Sequence, residues 1–192
     1  MHKKEVSMAD SIGIVITGVS GRMGQMLIKT IVCSDGMHLM GAIEQSGNDW
    51  VGRDVGDVLG GSSMGVVVSD DVKTVISDAD ALVDFTVPKA TVAFAEIAAV
   101  AGVAHIIGTT GFDAKQLAQI SNSAKKTPIV RAGNMSLGVN LLVKLTKQVA
   151  AVLDAEFDIE IIESHHNKKI DAPSGTALML GEAAADGRNV RL

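Results

Sequence analysis

A chain of 192 residues, 47% hydrophobic and 20% charged, is long enough to bury a core in one large domain or two small ones, which argues against wholesale disorder. The aromatic fraction is 3%, with no Tyr and one Trp, and the net charge is −5, so nucleic acid is not an expected partner. Cys33 is the single cysteine, and no apolar run nears the roughly 18 residues of a membrane span, so we expect a cytoplasmic protein with no membrane partner.

Residues 1–11 are polar and lack a secretory core, and read as a loose extension. Apolar runs then alternate with helical patterns, the signature of βαβ units. A strand is predicted over Ile12–Thr17, a helix over Arg22–Cys33 and a second strand over Met37–Ile43. The glycine-rich stretch Asn48–Gly65 reads as a long loop with one helical turn. Short strands follow at Gly65–Ser69 and Ala81–Phe85, with a helix at Asp71–Ser77 between them. After Pro88, Lys89–Ala101 is helical, His105–Gly108 a strand, Asp113–Lys125 a helix and Pro128–Arg131 a strand. The sheet is expected to be parallel.

The pattern changes near Asn134. Leu137–Leu153 is an amphipathic helix, and Phe157–Glu163 alternates acidic and apolar residues as a half-exposed strand does. The expected organisation is a Rossmann-type α/β domain over residues 1–135, followed by an α+β substrate and oligomerisation domain over residues 136–192. At under 60 residues the latter is expected to be incomplete.

Gly18-Val19-Ser20-Gly21-Arg22-Met23-Gly24 follows a strand and opens a helix with the spacing of a dinucleotide-binding fingerprint. Small residues permit the tight turn, and free amides at the helix start suit a pyrophosphate. Three glycines also mark ordinary turns, but Glu44, twenty residues beyond Gly24 at a strand end, suits the ribose hydroxyls. Gln45 is neutral where an Arg would favour a 2′-phosphate, whereas Arg22 could partly substitute, so NADH is slightly favoured and NADPH stays open. Asp84–Pro88, Gly108–Gly111 and Ala132–Ser136 occupy further strand ends; in Gly108, Thr109 and Thr110 small size and hydroxyls combine.

Glu163–Thr176 is the densest chemistry in the chain. His165, His166, Lys168 and Lys169 lie just before an expected helix start at Ser174-Gly175-Thr176, where free amides suit a carboxylate or phosphate. No metal is expected: adjacent residues of an extended chain point to opposite sides, and neither His-Glu-x-x-His nor paired cysteines occur. A serine nucleophile at Ser174 lacks the Gly-x-Ser-x-Gly elbow.

With these residues in view, the sequence resembles the 4-hydroxy-tetrahydrodipicolinate reductase family of lysine and diaminopimelate synthesis. The likeness rests on Gly18–Gly24, Asp84-Phe85-Thr86, Gly108–Gly111, Asn134–Asn140 and above all Glu163–Thr176. It implies hydride delivery from NADH or NADPH to a small cyclic dicarboxylate, with His165 and Lys169 as proton donors. By the same likeness His166, Gly175 and Thr176 hold substrate carboxylates. Gly18–Met23, Glu44, Gly108–Thr110 and Ala132, Gly133, Asn134 and Met135 line the cofactor. Family members are longer and form homotetramers through the substrate domain. Another dehydrogenase on the same scaffold would keep the glycine motif without needing His165–Thr176, and a nucleotide-sensing module would have no use for the acid groups.

Overall fold

The computed structural model describes residues 11–153, 156–165, 167 and 172–192, so residues 1–10 and the expected site residues His166 and Lys169 lie outside the described residues. The chain divides into two compact units, one ending at Arg131 and one beginning at Ala132.

The first unit alternates strands and helices: β1 Ile12–Thr17, α1 Arg22–Val32, β2 Met37–Ile43, α2 Val55–Val58, β3 Val68–Ser69, α3 Val72–Val75, β4 Ala81–Asp84, α4 Pro88–Ala101, β5 Ala104–Ile107, α5 Ala114–Ser123 and β6 Ile129–Arg131. All six strands are parallel, in the order β3-β2-β1-β4-β5-β6. This is the doubly wound arrangement with its reversal of strand order between β1 and β4, as the alternating pattern predicted.

Burial explains why β1 is central. Its residues after Ile12 are all buried, and they alternate between two layers. Ile14 and Ile16 pack with Ile28 and Ile31 of α1, whereas Val15 packs with Ile76, Leu82, Ala98 and Val103 on the opposite face. Each such aliphatic side chain contributes about 1.5–3 kcal/mol on full burial. Beyond β4, Ile107 joins Ala95 and Ile120, which seats α4 and α5 on the far strands.

The strand-to-helix turn after β1 is built on missing side chains. Gly18 has φ +66°, and a Cβ on Gly24 would lie 2.3 Å from the Gly18 carbonyl oxygen and 2.7 Å from Val19 Cα. Glycine therefore lets α1 approach the strand end this closely. In the glycine-rich loop the Asp54 carboxylate accepts from the amides of Gly56, Met64 and Gly65 and from the Ser63 hydroxyl, which orders a stretch without periodicity.

The second unit contains α6 Leu137–Val152 and α7 Gly175–Gly187. Their packing is close: a Cβ on Gly187 would lie 2.4 Å from the Lys147 carbonyl oxygen and 2.9 Å from Ala150 Cβ. The strand expected over Phe157–Glu163 is not formed. Alternation supplies two-faced side chains, but a strand also needs a neighbour's amides and carbonyls, and no backbone ladder reaches this segment among the described residues. The Arg188 guanidinium donates to the Phe157 carbonyl.

Gly24→Ala is expected to destabilise the protein by about 2–3 kcal/mol through backbone overpacking. Urea unfolding reads this as a lowered midpoint, and an unchanged midpoint would refute the packing account.

Candidate functional site

The carboxyl ends of β1, β2, β3 and β4 open onto a cleft of about 470 Å³, lined in part by Gly18, Ser20, Gly21, Glu44, Asp70 and Thr86. Its position at the reversal of strand order is where open parallel sheets bind ligands. Two helices start here without side-chain caps: α1 after Gly21, and α4 after Val87 with Pro88 in its first turn. By contrast α5, α6 and α7 are capped by Asp113, Ser136 and Ser174. An uncapped α1 keeps its first amides available to an anion, and a Cβ on Gly21 would crowd the turn at 3.2 Å from the Gly18 carbonyl oxygen. These residues fit a dinucleotide pyrophosphate.

Glu44 closes the adjoining side. Its Oε2 accepts from the Ser20 amide at 3.0 Å and the Ser20 hydroxyl at 2.7 Å, and its Oε1 accepts from the Gln45 amide at 2.9 Å. The carboxylate thus holds the glycine turn at the end of β2, where an acidic group meets ribose hydroxyls.

Behind the cleft wall sits a buried ionisable group. Asp84 Oδ1 accepts from the Thr17 hydroxyl at 3.1 Å, the Thr86 amide at 2.9 Å and the Thr86 hydroxyl at 2.6 Å. Its Oδ2 lies 3.4 Å from His105 Nε2, and both side chains are fully buried. Burial alone would push the Asp84 carboxyl up, but His105 and the Thr86 and Thr91 hydroxyls outweigh it and hold the carboxyl below its usual range.

Of the expected cofactor residues in the first unit, Gly18, Ser20, Gly21 and Glu44 line this cleft. Val19 is buried in the core, while Arg22 and Met23 are exposed on α1. Gly108, Thr109 and Thr110 follow β5 but are not among the cleft's lining residues. Gly108 is covered by the Phe85 ring, and the buried Thr109 hydroxyl is hydrogen-bonded to that of Thr91 at 2.9 Å. Thr86, from the strand-end segment Asp84–Pro88 noted in the sequence without an assigned role, lines the cleft together with Asp70, which sequence reasoning missed. The place of Asp70 immediately after β3 is the signal that could have found it.

In the second unit, Asn134 Nδ2 donates to the Thr176 hydroxyl at 3.0 Å, while its Oδ1 accepts from the Ser136 amide at 2.8 Å. Ala132, Gly133 and Met135 flank it, with Met179 Sδ close to Gly133. Glu163, which drew no role from sequence, ties the acid segment to α7. Its Oε1 accepts from the Ser174 amide at 2.8 Å, and its Oε2 lies 3.5 Å from His165 Nδ1. The Ser174 hydroxyl accepts from the Ala177 amide at 3.1 Å, whereas the amides of Gly175 and Thr176 precede Leu178, whose amide donates to the Ser174 carbonyl. The expected substrate residues Gly175 and Thr176 therefore stand at one helix start with His165 linked to it.

Comparison with known proteins matches two family models, dihydrodipicolinate reductase N-terminus over residues 12–135 and dihydrodipicolinate reductase C-terminus over residues 138–191. The 4-hydroxy-tetrahydrodipicolinate reductase of Ruegeria sp. (strain TM1040) is 61% identical over 185 residues, covering 96% of this chain and 69% of its own. That of Ruegeria pomeroyi is 62% identical over 180 residues, covering 94% of this chain and 67% of its own. Among solved structures, the dipicolinate-bound dihydrodipicolinate reductase from Paenisporosarcina sp. TG-14 aligns with TM-score 0.73 and 31% identity, over 93% of this chain and 67% of that one. The chain thus spans about two-thirds of the length of these relatives.

Because Asp84 has a lower carboxyl pKa folded than unfolded, its stabilisation is fully present above about pH 4 and is lost as pH falls through the folded value. Urea midpoints measured down this range should fall, and Asp84→Asn should flatten that acid limb. A limb equally steep in the variant would assign it to other groups.

Proposed function

The chain belongs to the dihydrodipicolinate reductase family, and from that premise we propose that it reduces 4-hydroxy-tetrahydrodipicolinate to tetrahydrodipicolinate in lysine and diaminopimelate synthesis. It is an NAD(P)H oxidoreductase of that family. The net change consumes the acceptor, one reduced nicotinamide nucleotide and one proton, and yields the reduced diacid, the oxidised nucleotide and water. A bound nucleotide supplies the hydride.

The chain's residues have three tasks. Gly18–Met23 and Glu44 hold the nucleotide, with the uncapped α1 start toward its pyrophosphate; the reading extends this role to Gly108–Thr110 and Ala132–Met135. We favour NADH over NADPH, because Glu44 and Asp70 line the cleft and no Lys or Arg does among the described residues. A 2′-phosphate there would meet like charge. His166, Gly175 and Thr176 hold the substrate carboxylates. Since Asn134 Nδ2 can only donate, Thr176 Oγ1 accepts from it and keeps its own proton for an anion.

His165 and Lys169 act as proton donors. Hydride addition to a conjugated imine builds electron density in the ring, which a proton must quench. The observation that carries the reading is Glu163, whose carboxylate joins the α7 start to His165. One carboxylate thereby holds the Ser174 amide at the α7 start and faces Nδ1 of His165, which leaves Nε2 to serve the substrate.

Oxidation of NADH and NADPH with freshly generated 4-hydroxy-tetrahydrodipicolinate tests this. We expect kcat/KM about tenfold higher for NADH. Lys169→Ala should lower kcat by about 10²–10⁴-fold with NADH affinity retained. Equal losses in turnover and NADH affinity would remove Lys169 from the acid role, and no NADH or NADPH oxidation by the wild type would overturn the function.

A further inference from the structure

We infer that Thr86 is a specificity-determining hydrogen-bond acceptor of the nucleotide cleft, locked in that role by Asp84, for a hydroxyl or amide donor on the nicotinamide half of the cofactor. This rests on the nicotinamide-nucleotide reading and goes beyond it.

The polarity of Thr86 follows from its partner. An ionised carboxylate has lone pairs only, so in the 2.6 Å contact the Thr86 hydroxyl must donate to Asp84 Oδ1. The Thr86 amide donates to the same oxygen at 2.9 Å. Both protons that Thr86 could offer a ligand are thus committed inward, and its hydroxyl retains only acceptor capacity. A phosphate at neutral pH brings no proton to such a group, whereas a ribose hydroxyl or a carboxamide N–H does.

Position assigns the half of the ligand. Thr86 follows β4, Glu44 follows β2, and these strands flank β1 on opposite sides. With the adenosine ribose at Glu44 and the pyrophosphate at the turn after β1, the β4 side receives the nicotinamide nucleotide. The Thr86 methyl also abuts the turn, 2.9 Å from where a Cβ on Gly18 would stand, so the side chain is wedged between Asp84 and the pyrophosphate loop.

The cost of the device argues against a filler role. Asp84 and His105 are both fully buried, and polar groups in such a place are commonly replaceable by apolar residues of similar volume without loss of stability. Here the pair stands directly behind a cleft-lining side chain and orients it.

Equilibrium titration of NADH and of ADP, by calorimetry on the whole chain, separates the two halves of the ligand. Thr86→Val keeps the shape and removes the acceptor, so it should raise the NADH Kd about tenfold and leave the ADP Kd unchanged. Thr86→Ser should restore NADH binding to within about twofold of wild type. Equal weakening of NADH and ADP by Thr86→Val would make the residue merely structural, and unchanged NADH binding would remove the acceptor role; both overturn the inference while leaving the cofactor reading intact. A wild-type chain that binds neither NADH nor ADP would overturn the cofactor reading and this inference with it.

Discussion

The first unit depends on one buried carboxylate. Asp84 gathers hydroxyl and amide donors from the ends of β1 and β4 on a single oxygen and faces His105 of β5 with the other. A carboxylate out of water is tolerable only with such partners, so the group ties the strand ends to one another wherever the fold is intact. That tie joins the carboxyl ends of the neighbouring strands β1 and β4, where the strand order reverses and the cleft opens. The spacing of the glycine turn from the opposite wall is therefore set by hydrogen bonds and not by loop packing alone.

Two threonines then show how partners assign polarity to the same side chain. Thr86 gives its proton to a carboxylate and can only accept; Thr176 takes a proton from the Asn134 amide and can still donate. The first suits the hydroxyls and amides of a nucleotide, the second the carboxylates of a diacid. Glu163 extends the logic by joining the α7 start to His165 through one side chain. In each case the partner of a side chain decides what that side chain can offer.

Sequence made the first unit legible because its signals are local. Continuous apolar strands, Pro88 at a helix start and the glycine spacing of the first turn each follow from residues close in the chain, and the parallel sheet came with them. What escaped were contacts over long separations: Thr17 with Asp84, Asn134 with Thr176, Glu163 with Ser174. Threonine, asparagine and glutamate are common surface residues, and nothing in their order announces a partner. Phe157–Glu163 failed for the opposite reason, because its local alternation is strong while the neighbour that makes a strand is not supplied by the described residues. Helix α7 illustrates a third limit: Ser174 marked its start, but the alanine-rich run to Gly187 carries little periodicity to mark its extent.

The central claim is that hydride comes from a nicotinamide nucleotide and the balancing proton from the chain's acid groups, exchanged with water. Isotope tracing tests it most directly: reaction with NADH deuterated at the transferable C4 position, in ordinary water and then with unlabelled NADH in heavy water, followed by mass spectrometry of the reduced diacid. The account predicts one deuterium from the labelled nucleotide in the first reaction and carbon-bound deuterium from solvent in the second. A reduced product carrying no label from the nucleotide would contradict it.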